Sequence, residues 1–122
     1  MTATGSLYNF FSGFGIPAYP SNAVPDDTTF PWLTYDVATG FFGDGDIPIT
    51  VNLWYHTESE ADPNRKAAEI AEAVGFNGAL ITCDTGAIWI KRSAPFCQNL
   101  ADENDPLIKR RLINLALEYL TV

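Results

Sequence analysis

The segment from Ile47 to Tyr55 constrains this chain more than any other. Ile49, Val51, Leu53 and Tyr55 fall on one side of an extended backbone there, and Thr50, Asn52 and Trp54 on the other. A period of two predicts a strand with one apolar face. Asp62-Pro63 then opens the clearest helix. Asp is a favoured N-cap, Pro a favoured first helical residue, and Ala67, Ile70, Ala71 and Val74 recur at helical spacing. Its stripe is mostly alanine, so the helix is expected close against a sheet. Gly75 fits the position after the last turn, with Phe76 folding back onto it.

The other elements follow from similar signals. Leu7, Phe10, Phe11 and Phe14 predict a short helix over 4–12, capped by Thr4 or Ser6 and ended by Gly13 and Gly15. Pro17 and Pro20 exclude helix from Ile16 onward, leaving an edge strand or an extended proline-rich arm over about 16–29, with a turn at Val24-Pro25-Asp26-Asp27. Phe30 to Val37 reads as a strand, joined to the next by the aromatic, glycine-rich loop Gly40–Asp46. Ala79–Asp84 and Ala87–Lys91 read as a hairpin around Thr85-Gly86. Residues 107–121 satisfy both periods, since Ile108, Leu112, Leu115 and Tyr119 suit a helix and Ile113, Leu115, Leu117 and Tyr119 a strand. The expected class is α+β: one domain over 1–122, a mostly antiparallel sheet with one main helix packed on it and a short N-terminal helix.

Length supports a core without staples, because a chain of 122 residues buries roughly 65–70% of its unfolded surface. Two cysteines, Cys83 and Cys97, make no disulfide framework or paired metal motif. Apolar stretches break well short of the roughly 20 residues of a membrane helix, and the start lacks a basic signal-peptide region. A soluble protein made and used in a cytoplasm is the expectation. All seven Lys and Arg lie after position 64, while the residues up to 64 carry eight acids and no base. Such polarity suits head-to-tail or ring assembly if the fold separates the two halves. A pI near 4.3 argues against a basic nucleic-acid groove and allows a surface past which DNA slides.

Catalytic signals are thin. His56 is the single histidine and stands beside no nucleophile motif. The 40–46 loop lacks the GK[ST] ending of a phosphate loop, and Asp44 and Asp46 lack the further oxygen ligands of a calcium loop. Asp26-Asp27 and Glu58, Glu60 and Asp62 sit among turn residues, as solvated carboxylates do. No catalytic residue, cofactor or metal is expected. What stands out is the density of aromatic residues in loops and arms, which marks interfaces.

The order Ile16-Pro17-Ala18-Tyr19, Val24-Pro25, Phe30-Pro31-Trp32-Leu33-Thr34-Tyr35 and Val51-Asn52-Leu53-Trp54 followed by a charged helix resembles the tail terminator (tail completion) proteins of long-tailed bacteriophages. Ile88-Trp89-Ile90-Lys91-Arg92-Ser93-Ala94-Pro95-Phe96-Cys97-Gln98 and the segment from Arg110 to Tyr119 continue the likeness over nearly the whole chain. The resemblance implies a virion protein that forms a homo-hexameric ring on the head-proximal end of the tail tube. Such a ring ends tube growth at the length set by the tape-measure protein and offers a surface to the head–tail connector or stopper protein. It also implies that 107–121 is a strand. A head completion or connector protein at the same joint is the neighbouring role. A small binding module outside the virion would instead show a ligand-sized pocket and stay monomeric.

On this reading Phe41, Phe42, Tyr19, Pro20, Trp32, Lys109, Arg110 and Arg111 are expected to meet other subunits or partners. Asp44, Asp46, Glu58 and Glu60 are expected to face a channel through which DNA passes without adhering. The partners would be further copies of the chain, the major tail tube protein, the connector and the tape-measure protein, with no membrane.

Overall fold

In the computed structural model, which describes residues 1–122, the chain runs α1 (Ala3–Phe11), a single 3-10 turn (Ser12–Phe14), β1 (Ala18–Pro20), β2 (Trp32–Tyr35) and β3 (Asp46–His56). It continues through α2 (Ala61–Val74), β4 (Ala79–Cys83), β5 (Gly86–Ala101) and β6 (Ile108–Thr121). The six strands form one sheet in the order β1-β2-β3-β6-β5-β4. Every pairing is antiparallel except β1 with β2. The α+β class and the single, mostly antiparallel sheet are as expected.

The alternation in β3 sets which face is dry. Ile49, Val51, Leu53 and Tyr55 are buried, and their neighbours of the same parity, Leu33 and Tyr35, Ile113, Leu115 and Leu117, and Ile88 and Ile90, join them in one core. Both helices cover this face. Helix α2 contributes Ala67, Ile70 and Val74, and α1 contributes Leu7 and Phe11, whose ring stacks on Tyr35 at 4.7 Å. Each large apolar side chain buried this way stabilises by about 1.5–3 kcal/mol before entropy is charged against it. The helices leave the opposite face of the sheet without a second layer.

Several local expectations are corrected. The N-cap of α2 is Glu60, not Asp62. Pro63 stands third in the helix, where its missing N–H is still one that no helical carbonyl would accept, and Asp62 instead takes Arg65 Nη1 at 2.8 Å. Phe76 does not fold back on α2 but is 91% exposed. Gly75 has φ 76° and ψ 172°, which carries the chain straight out of the helix rather than around its end. Helix α1 is capped by Thr2, whose hydroxyl accepts from the Gly5 N–H, while the Ser6 hydroxyl donates to the Thr82 carbonyl and ties α1 to β4.

The hairpin turn is Asp84-Thr85, with Gly86 already in β5. Gly86 has φ 146°, and a Cβ there would lie 2.1 Å from the Leu120 carbonyl oxygen. Strand β5 runs past Lys91 to Ala101, through an irregularity between Arg92 and Cys97 that holds the cis Ala94–Pro95 bond. A proline in a segment without alternation reads as the end of a strand, and here it marks a bulge instead. Residues 108–121 are a strand, pairing β3 on one side and β5 on the other.

Candidate assembly surface

The uncovered face of the sheet carries an aromatic row. Register places Trp32 opposite Trp54 and Trp54 opposite Arg110. The two indoles stack at 5.2 Å and 14°, and the Arg110 guanidinium lies 4.9 Å from the Trp54 ring centre. Arg110 is fixed in place by its Nε, which donates to Asn52 Oδ1 at 2.9 Å. Tyr19 on β1 extends the row, 6.4 Å from Trp32. Phe30 sits 6.4 Å from Trp32 and 5.5 Å from His56.

The stacked Trp32–Trp54 pair adds about 0.5–1.5 kcal/mol beyond its buried area, and Tyr19 and Phe30 lie tilted beside Trp32. Trp and Arg held on a rigid support are the residues that anchor protein interfaces. The Trp54 Nε1–H is buried without a hydrogen-bond acceptor.

A second apolar feature is the loop before β3. Phe41 and Phe42 are 57% and 74% exposed, so neither ring belongs to the core. The loop is pinned. The Phe41 N–H donates to Asp44 Oδ2, the Asp44 N–H returns to the Phe41 carbonyl, and the Phe42 N–H donates to the Thr121 carbonyl at the end of β6. The phenylalanines are therefore presented to water on an ordered turn, an arrangement that marks a contact surface when such residues cluster.

The basic run Lys109-Arg110-Arg111 is split by strand alternation. Arg110 points to the open face. Arg111 points the other way and is 1% exposed, ion-paired to Glu60 and donating its Nε to Asn64 Oδ1 at 3.1 Å. Lys109 donates to the Pro106 carbonyl. Arg111 is thus a link between the sheet and the start of α2, and the expectation that it meets a partner is corrected.

The four carboxylates expected at a channel are not gathered either. Asp44 and Asp46 stand before β3 or at its start, and Glu58 and Glu60 beyond its end, about 33 Å away at the rise of a strand. Asp46 accepts from Lys91 Nζ at 2.7 Å, and Lys91 also reaches Glu118 at 2.8 Å. Those two partners, Asp46 before Glu118, hold the lysine pKa above its ordinary value. Glu60 is taken by Arg111, while Glu58 is exposed. Bases of the second half pair acids of the first in Lys91–Asp46, Arg111–Glu60 and Arg65–Asp62. The two halves are therefore interleaved and not set on separate faces.

Of the residues singled out in the sequence, the fold brings Tyr19, Trp32 and Arg110 together, with Phe41 and Phe42 on a different part of the surface. Pro20 closes β1 with its side chain on the parity of Tyr35. Trp54, Asn52 and Phe30 complete the row and were not among the expected interface residues. The signal for Trp54 was its place among Thr50 and Asn52 on the polar parity of β3, where a large aromatic has no core to fill. His56 pairs with Asp105 at 2.9 Å. The Asp105 carboxyl is held below its ordinary value first by the Leu107 N–H and then by His56 and Lys109.

No three His, Cys, Asp or Glu side chains converge as metal ligands, and Cys83 and Cys97 are half-buried free thiols. No helix is long and apolar enough to cross a membrane. Comparison with protein-family models, with curated proteins and with solved structures finds no match to this chain.

Proposed function

We propose that the protein is a virion structural protein of the tail-terminator type, a homo-hexameric ring that caps the head-proximal end of a phage tail tube. In this role it ends tube polymerisation and presents a surface to the head–tail connector, with DNA passing through the ring. The observation that carries the reading is the one-layered sheet, whose uncovered face bears the Tyr19–Trp32–Trp54–Arg110 row. A monomer with no partner gains little from holding two tryptophans and an arginine in register on such a face, whereas a subunit between neighbours gains an anchor. The exposed Phe41-Phe42 turn supplies a second, separate surface. A ring that caps a tube needs more than one surface, because each copy meets its neighbours through a heterologous interface that closes by rotation and meets the tube and connector through others.

The test is electron microscopy of lysates of the encoding phage with this gene deleted. Overlong or irregular tails beside unjoined filled heads are the expected result. Tails of normal length that fail to join would assign the protein to the connector, and normal infectious particles would refute both roles.

A further inference from the structure

Strand β4 pairs β5 only from Gly86 to Ile90, so from Lys91 onward the outer edge of β5 has no strand beside it. A groove of about 750 Å³ opens there, lined by Phe76, Gly78, Trp89, Lys91, Arg92 and Phe96, among others. It is an open groove along a strand edge and not an enclosed cavity, with room for two benzyl groups. The floor is preformed. Trp89 Nε1–H donates to the Asn77 carbonyl at 2.9 Å, and Lys91 Nζ stands 4.2 Å from the centre of the Trp89 ring. Gly78, at φ 83°, lets the indole pack directly on the backbone, since a Cβ there would lie 2.4 Å from Trp89 Nε1. Lys91 is neutralised by Asp46 and Glu118, but Arg92 is exposed and its side chain makes no ion pair or hydrogen bond within the chain. The groove thus offers three aromatic side chains, Phe76, Trp89 and Phe96, and one unspent positive charge.

The turn Phe41-Phe42-Gly43-Asp44 offers the complement: two exposed phenyl rings followed by a carboxylate that makes no ion pair. It is fastened to the end of β6 through Thr121, and Phe41 lines a different cavity, with Ala3, Tyr119 and Val122 among its walls. Turn and groove share no residue, and the Lys91–Asp46 pair joins the groove to the chain two residues beyond the turn.

We propose that the Phe41-Phe42-Asp44 turn of one copy docks in the β5-edge groove of the next, its phenyl rings against Phe76 and Trp89 and its carboxylate toward Arg92. The contact is head-to-tail, so every copy uses one turn and one groove, and a closed ring leaves neither free. The inference rests on the self-assembling ring proposed above and names the surfaces that build it.

The test uses two variants of the whole protein. Phe41→Ser with Phe42→Ser removes the turn's anchors, and Phe76→Glu with Arg92→Glu removes those of the groove. All four side chains are exposed, and thermal melts report that both variants fold. Sedimentation velocity is run on the wild type, on each variant alone and on an equimolar mixture. The expected result is association of the wild type, at least about tenfold weaker self-association of each variant, and a one-to-one dimer in the mixture. The dimer forms because one variant keeps a sound groove and the other a sound turn, and it grows no further. Variants that assemble like the wild type, or a mixture that stays monomeric, would overturn the docking while leaving the ring intact. A wild type that stays monomeric would overturn docking and self-assembling ring together.

Discussion

Glu60→Ala is expected to destabilise this protein more than removal of the arginine that Glu60 neutralises. Arg111 is 1% exposed, whereas the Glu60 side chain is 56% exposed. Taking away Glu60 leaves a guanidinium in the helix–sheet junction with only Asn64 and the Arg110 carbonyl, at 3.1 and 3.4 Å, to receive its donors. Stranding one partner of a fully buried pair costs about 3–5 kcal/mol. The glutamate end is in water, so solvent and Asn64 recover part of that cost, and about 2 kcal/mol is expected. Loss of a carboxylate from the N-terminus of α2 is included in this figure.

Arg111→Met instead fills similar space without a charge, and Glu60 simply rehydrates, at a cost of about 1 kcal/mol or less. The double variant should resemble Arg111→Met and be more stable than Glu60→Ala, a coupling of about 2 kcal/mol. Urea unfolding reads this as a midpoint lowered by roughly 1 M for Glu60→Ala at unchanged slope. A thermal melt reads it as roughly 6–10 °C. Arg111→Met proving more damaging than Glu60→Ala, or the double variant showing the sum of the two losses, would refute the assignment of Arg111 as a buried charge that depends on Glu60.

Replacing Phe41 and Phe42 by serine should leave stability within about 0.5 kcal/mol in urea while weakening assembly; a large loss of stability would return both rings to the core. Burial, foremost, raises the pKa of Tyr35, Tyr55 and Tyr119 above the ordinary 10.0. The folded chain then holds these protons longer than the unfolded chain. Their contribution is complete below pH 10 and lost as pH rises through the folded values, so an ultraviolet absorbance titration should show these three ionising late and together with unfolding. Gly86→Ala should cost about 2 kcal/mol or more, from strain at φ 146° and collision with the Leu120 carbonyl. A melt unchanged by that substitution would show that the hairpin relaxes freely.

Strand alternation and helical spacing made most of the fold legible, because burying one face of a sheet imposes a period on the residues that do it. Tyr55 and Val74 are buried where those periods put them. The second half of β5 was not legible, since bulging around Pro95 removes the alternation a strand otherwise shows. Strand β1 was readable as extended, but its parallel partner lies across an eleven-residue connection, 21–31, and local signals do not reach that far.

Within the candidate surface, Trp32 and Arg110 could be picked out by type, yet only strand register shows that Trp54 joins them. The same parity that sets Arg110 over an indole buries Arg111, so adjacent residues of identical charge have opposite roles. Carboxylates clustered in the sequence before and after β3 are separated by the length of that strand, a distance that sequence proximity hides.

The most direct test of tail capping is to add the purified protein to tail tube protein as it polymerises and to measure tube lengths by electron microscopy. A capping ring predicts that mean tube length falls as the protein is titrated in, with a single ring density at one end of each tube. Tubes of unchanged length with bare ends would contradict it.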